Sequence, residues 1–179
     1  MNVMSAIDPQ AQFEEIVMPH LDAAYNLARW LAGNDHDAED IAQEASLRAF
    51  RFLSGFRGGN SRSWLLTIVR NTAYTWLKQN RPQAVVSLGD EELTEIEDPA
   101  AAANHSASLH NADRDVLRAA LESLPAEFRE ALVLRELEGL SYKEIADVAD
   151  APIGTVMSRL ARARKQLQEY LSRKGSIEK

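Results

Sequence analysis

A chain of 179 residues, 45% of them hydrophobic and with a formal charge of −7, has room for one domain or two small ones. It contains no cysteine, which excludes disulfides, thiolate zinc sites and thiol redox sensing. No apolar run is long enough to span a bilayer, and the start lacks the positive charge and apolar stretch of a secretory signal, so a cytoplasmic protein without membrane insertion is expected.

In chain order, Phe13, Ile16, Val17, Leu21, Ala24, Leu27, Ala28 and Leu31 keep a helical period that predicts one helix, closed by Gly33 and Asn34. A second helix is predicted from about Asp37 to Leu53, with Ile41, Ala45, Ala49 and Phe52 toward the core. Its opposite side carries Asp40, Gln43, Glu44, Leu47 and Arg51, a polar strip with one outward leucine. By itself that strip reads as a solvated face with one stray leucine, and a partner surface is the less common alternative. A Gly- and Ser-rich loop, SGFRGGNSRS, leads to a third helix from about Ser63 to Gln79 that buries Leu65, Ile68, Val69 and one or both of Trp64 and Trp76.

Asp90, Glu91, Glu92, Glu95, Glu97 and Asp98 account for most of the net charge and fall between Pro82 and Ala112, where there is no Lys or Arg. With no sustained apolar period and with Pro82, Gly89 and Pro99, this stretch reads as a flexible acidic linker. Beyond it, LSYKEIADVADAPIGTVMSRLARARKQLQEYL has the form of a helix-turn-helix. Ser141 and Glu144 make a capping box for a helix from Tyr142 to Ala149 that buries Ile145 and Val148, and Asp150, Ala151 and Pro152 break it.

In the helix that follows, about 100° per residue puts Ile153, Val156, Leu160, Ala163, Leu167 and Leu171 on one side and Thr155, Ser158, Arg159, Arg162 and Lys165 on the other. Such cations are often only a solvated face. On the second helix of a capped helix-turn-helix, with two hydroxyls among them, they favour a major-groove reader. The fold class that results is all-α, two small helical domains, 1–81 and 113–179, joined by the acidic linker 82–112.

Three blocks, DAEDIAQEASLRAFRF, SWLLTIVRNTAYTWLKQNR and LPAEFREALVLRELEGLSYKEIADVADAPIGTVMSRLARARKQL, resemble in order and spacing the extracytoplasmic-function (group four) sigma factors, bacterial transcription-initiation subunits that keep only sigma domains two and four. The resemblance implies that Asp40, Gln43, Glu44 and Leu47 dock on the coiled coil of the core RNA polymerase largest subunit. It implies that the block SWLLTIVRNTAYTWLKQNR opens and reads the minus-ten element of promoter DNA. Arg57, Arg62, Asn71, Lys78 and Arg81 would track the DNA, and the loop from Ser54 to Asn60 would hold a flipped base.

It implies too that Thr155, Ser158, Arg159, Arg162 and Lys165 read the minus-thirty-five element, over a supporting helix from Glu127 to Leu137. Thr75, Met157 and Ala161 depart from residues frequent in the family, so the promoter sequence cannot be copied from a relative. The linker is expected either to thread the basic channels of the polymerase or to act as a solubilising tether. An anti-sigma factor is implied as a restraining partner.

No cofactor, metal, small-molecule substrate or catalytic residue is expected. His20, His36, His105 and His110 lack ligand spacing, and Asp35, Asp37, Glu39 and Asp40 suit a helix start better than a cation site. The alternative is a free-standing helix-turn-helix repressor or activator, which leaves the second-helix strip and the third-helix block without a purpose.

Overall fold

The computed structural model describes residues 8–81 and 111–175, and the chain divides into two compact helical units, the first reaching to Arg81. Among the described residues there is no strand. The stretch expected to be a flexible linker lies outside the described residues as far as position 110, and helix begins at Asn111.

In the first unit the single expected opening helix is two, α1 (Pro9–Ile16) and α2 (Leu21–Ala32), separated by a 3-10 turn at Met18–His20. The apolar period runs through the break, but Pro19 has no N–H with which to continue the α-helical ladder. Gly33, with φ of 79°, closes α2 through an N–H bond to the Arg29 carbonyl. Asn34 then caps the next helix, its side-chain oxygen accepting from Asp37 N–H at 2.8 Å. The cap lies upstream of the expected start, so α3 spans Asp35–Phe52.

Ile41, Ala45 and Ala49 of α3 are buried as expected, but Phe52 is 59% exposed. It is the last residue of the helix, and the 3-10 turn at Leu53–Gly55 sends Leu53 into the core in its place. The helix α4 (Ser61–Asn80) starts at the Asn60 cap and buries Leu65, Leu66, Val69, Thr72, Ala73 and Leu77. Thr72 is tolerated there because its hydroxyl donates to the Ile68 carbonyl at 2.8 Å. Ile68, Trp64 and Trp76 are all half-buried. Helices α2, α3 and α4 pack against one another around Leu27, Ile41, Leu65 and Leu66, side chains whose burial is worth about 1.5–3 kcal/mol apiece.

The second unit holds α5 (Asn111–Glu122), α6 (Ala126–Leu132), α7 (Tyr142–Ala149) and α8 (Ile153–Gly175). Arg129 of α6 donates to the carbonyls of Leu121, Glu122 and Leu124, occupying acceptors that the end of α5 would leave without partners. The expected supporting helix changes pitch, because α6 gives way to a π-helical turn at Val133–Leu137. Arg135 closes the following loop by donating to the Leu140 carbonyl at 2.9 Å while stacking over Tyr142.

The capping box is present in both halves, Ser141 N–H to Glu144 at 2.7 Å and Glu144 N–H to Ser141 Oγ at 3.2 Å. Asp150 ends α7 in the left-handed region, φ 49°. Phe128, Leu134, Ile145, Val148, Val156, Leu160 and Ala163 are buried. Ile153, placed on the apolar face by angle, is 46% exposed, and Leu171 is exposed as well, because both lie at the ends of α8 where fewer helices cover it.

Candidate nucleic-acid and partner interfaces

On α3, Asp40, Gln43, Glu44 and Leu47 line one side of an open groove of about 420 Å³ whose other wall is Thr72, Thr75, Trp76 and Gln79 of α4. Leu47 is 50% exposed at its lip. Glu44 is held by Arg48 at 2.8 Å, one helical turn on, and Asp40 lies 3.8 Å from His36. The groove therefore offers carboxylates and an uncovered leucine beside an indole, a combination that suits a cationic partner helix with one apolar anchor. Trp76 Nε1 is buried and has no acceptor among the described residues. Spacing along α3 exposes the strip; the α4 wall is visible only after the two helices pack.

The acidic residues at the start of α3 are spent on local partners. Asp35 pairs with Arg29, and Asp37 accepts from Asn34 at 2.8 Å and pairs with Arg81 at 3.0 Å. Arg81 also reaches the Ala32 carbonyl at 3.4 Å, so it fastens the end of α4 to the corner between α2 and α3.

The residues expected to track minus-ten DNA do not form one surface. Asn71 and Lys78 are exposed on the outer side of α4, and Arg57 is exposed in the preceding loop. Arg62 lies about 180° around the helix from Asn71. It stands near His20, whose Nε2 is 3.0 Å from Ser61 Oγ. Burial, and secondarily the Arg62 charge, lower the His20 pKa below its ordinary value of 6.5.

Two residues not singled out in sequence share the outer side with Asn71 and Lys78. They are Arg70, which stacks 4.7 Å over the Tyr74 ring and donates weakly to Asn71, and Tyr74 itself. Their i, i+4 spacing was the available signal. In the loop, Gly58 and Gly59 take φ of 88° and 99°, and Phe56 packs against Trp64 with ring centroids 5.0 Å apart. The candidate base pocket thus has an aromatic pair at its edge.

On α8, Ser158, Thr155 and Arg162 are half-buried and Lys165 is exposed. Arg159 sits on the flank of the helix, about 70° from the middle of its buried stripe. There its guanidinium pairs with Glu127 of α6 at 3.2 Å, the two side chains only 18% and 20% exposed. Arg164 on the other flank pairs with Glu136 at 2.9 Å; burial is the largest single influence on its pKa and lowers it, but the hydrogen bonds and charge of Glu136 and Tyr142 together outweigh it and raise the pKa. Both arginines are thereby held by carboxylates of the same unit.

Two family models match the chain, Sigma-70 region 2 over residues 16–83 and Sigma-70 region 4 over residues 114–167. The chain is 39% identical over 165 residues to the ECF RNA polymerase sigma factor SigE of Mycolicibacterium smegmatis, an alignment covering 92% of this chain and 63% of that protein's length. It is 35% identical over 170 residues to the RNA polymerase sigma-H factor of Pseudomonas aeruginosa, covering 89% and 86% of the two. Against the ECF RNA polymerase sigma-E factor of Escherichia coli it is 39% identical over 142 residues, covering 73% and 72%.

Among solved structures, the sigma factor RpoE of Bartonella quintana, crystallised with the anti-sigma factor NepR, is similar with a TM-score of 0.69 and 32% identity, covering 89% of this chain and 96% of that one. CnrH, solved with the cytosolic domain of CnrY, shares the fold with a TM-score of 0.63 at 24% identity, covering 91% and 89%. A free-standing helix-turn-helix regulator would match in the second unit alone, whereas here the grooved α3–α4 unit is matched as well. The chain belongs to the extracytoplasmic-function group of the sigma-70 family of RNA polymerase sigma factors.

Proposed function

We propose that this chain is the promoter-specificity subunit of a cytoplasmic transcription machinery, without catalytic chemistry of its own. It would engage core RNA polymerase through the α3 strip and read promoter DNA with α4 and α8. The observation that carries this reading is the presence in one chain of an acidic, leucine-lipped groove and a helix-turn-helix with carboxylate-held arginines. A repressor needs only the second. The division of labour follows the expected boundaries, with 1–81 for docking and the minus-ten element, 113–179 for the minus-thirty-five element and 82–112 between them.

Within the first unit, the exposed face bearing Asn71 and Lys78 and the loop bearing Arg57 are assigned to minus-ten DNA, whereas Arg81 serves the fold through Asp37 and Ala32. Arg62 is assigned to the start of α4 near His20. Within the second, Thr155, Ser158, Arg162 and Lys165 approach the upstream duplex directly, and Arg159 does so from its Glu127 support. An anti-sigma partner would restrain the protein by covering these surfaces, as the complex of the Bartonella relative with NepR suggests by analogy. The test is reconstitution with core RNA polymerase on a library of randomised promoters. Specific initiation that requires the added chain, with no specific duplex binding by the chain alone, is the expected result. Tight sequence-specific binding without polymerase would refute it.

A further inference from the structure

The first two turns of α8 present an outward strip with no charge on it. At about 100° per residue, Gly154, Ser158 and Ala161 face away from the buried stripe of Val156, Leu160 and Ala163, and Met157 stands at the edge of this strip, about 90° from the middle of the stripe. Met157 is 39% exposed, and Ile153 beside it 46%. The flank cations Arg159 and Arg164 are held by Glu127 and Glu136, and Arg162 and Lys165 follow on the next turns of the outward side. A base edge meeting the start of this helix therefore meets a thioether, the hydroxyls of Thr155 and Ser158 and two small residues, with Arg162 beyond them.

Gly154 adds an independent observation. Glycine costs about 1 kcal/mol relative to alanine in a helix interior, and less in the first turn, where Gly154 lies. Its backbone is not in the left-handed region, and a Cβ built there would meet no atom within 4 Å, so nothing inside the protein requires glycine. The missing side chain leaves clearance on the outer surface, next to Met157. Residues at the start of a recognition helix are the ones that reach base edges, and close approach there needs small neighbours.

We infer that Met157 is a specificity-determining residue that covers the C5-methyl group of a thymine in the upstream promoter element. The inference rests on the reading of α8 as the upstream-promoter helix and deepens it. A thioether offers no donor for guanine O6 or N7, so it cannot make the paired hydrogen bonds with which arginine selects guanine. It is unbranched and polarizable, and it gains by excluding water from an apolar methyl. Ser158 supplies a polar contact that either base type accepts. Ile153 extends the apolar surface toward the end of the element.

The experiment uses the reconstituted holoenzyme. A promoter selected from the randomised library is resynthesised with uracil replacing each upstream thymine in turn, which removes one methyl and changes no hydrogen-bonding group. The expected result is that one substitution weakens promoter binding about fourfold, the weight of one buried methyl-sized group, and that Met157→Gln abolishes this difference. Glutamine has similar length and helix propensity at an exposed position, so the helix is retained. A footprint over the upstream element with no methyl dependence, or with one that Met157→Gln leaves intact, overturns the role of Met157 alone. Lack of any upstream footprint by the wild-type holoenzyme overturns the reading of α8, and the role of Met157 with it.

Discussion

Replacing Arg159 should damage the fold and DNA binding together, and the two effects can be separated through Glu127. At 3.2 Å the pair has a Coulomb attraction of about 5 kcal/mol at an effective dielectric constant of 20. Both side chains are about four-fifths withdrawn from water, so desolvation returns most of it. Fully exposed pairs are worth under about 1 kcal/mol, while breaking a fully buried one costs about 3–5 kcal/mol. The geometry here lies between, which gives a coupling of about 1–2 kcal/mol.

Arg159→Ala alone leaves the largely desolvated Glu127 carboxylate without its cation, so it should destabilise by more than Arg159→Ala adds when Glu127 is already Gln. A double-mutant cycle in urea, followed by circular dichroism with the slope checked for constancy, measures the coupling. In promoter binding, Glu127→Gln should leave Arg159 free to move to a phosphate, raising affinity at all sequences and steepening the salt dependence by up to about one unit. Strict additivity in the cycle, with coupling below about 0.3 kcal/mol, would refute the argument that Glu127 positions Arg159.

Two further outcomes are expected. Asp40→Arg combined with Leu47→Arg places cations on the groove lip and should abolish co-purification with core polymerase while leaving helical circular dichroism unchanged; retained co-purification would remove α3 from the docking role. The lowered His20 pKa means that the unfolded chain binds the extra proton first as pH falls, so its contribution to the first unit's stability is complete above pH 6.5 and declines below it. His20→Asn should flatten that acid-side decline in urea midpoints, and an unchanged pH profile would show that His20 is not its source.

The parts of the fold legible in sequence were those set by local chemistry. The Ser141–Glu144 capping box, the Gly33 terminator and the period of Ile41, Ala45 and Ala49 all depend on neighbours within one or two turns, and each appears in the structure. What pattern alone misplaced was decided by tertiary geometry. Phe52 has the angle of a core residue but sits where the helix stops, and Ile153 has that angle at the end of α8, where fewer helices cover it. Pro19 was visible, yet an apolar stripe continuing on both sides of it concealed the break.

The candidate sites divide in the same way. Asp40, Gln43, Glu44 and Leu47 share a face by spacing alone, but their groove needs Trp76 from a helix about thirty residues later. Charge identified Arg62, Arg81 and Arg159 as DNA candidates without revealing that His20, Asp37 and Glu127 stand beside them. A cation in a sequence has no partner until the chain is folded.

Helix α4 is a party wall. One side of its later turns closes the groove through Thr72, Thr75 and Trp76, and another carries Asn71, Tyr74 and Lys78 outward. Because residues of both sets alternate within the same two turns, any shift or tilt of the helix moves both surfaces at once. On the proposed reading, a substitution that re-seats this helix against α3 would alter together the fit of a docking partner beside Trp76 and the presentation of Asn71 and Lys78 to promoter DNA.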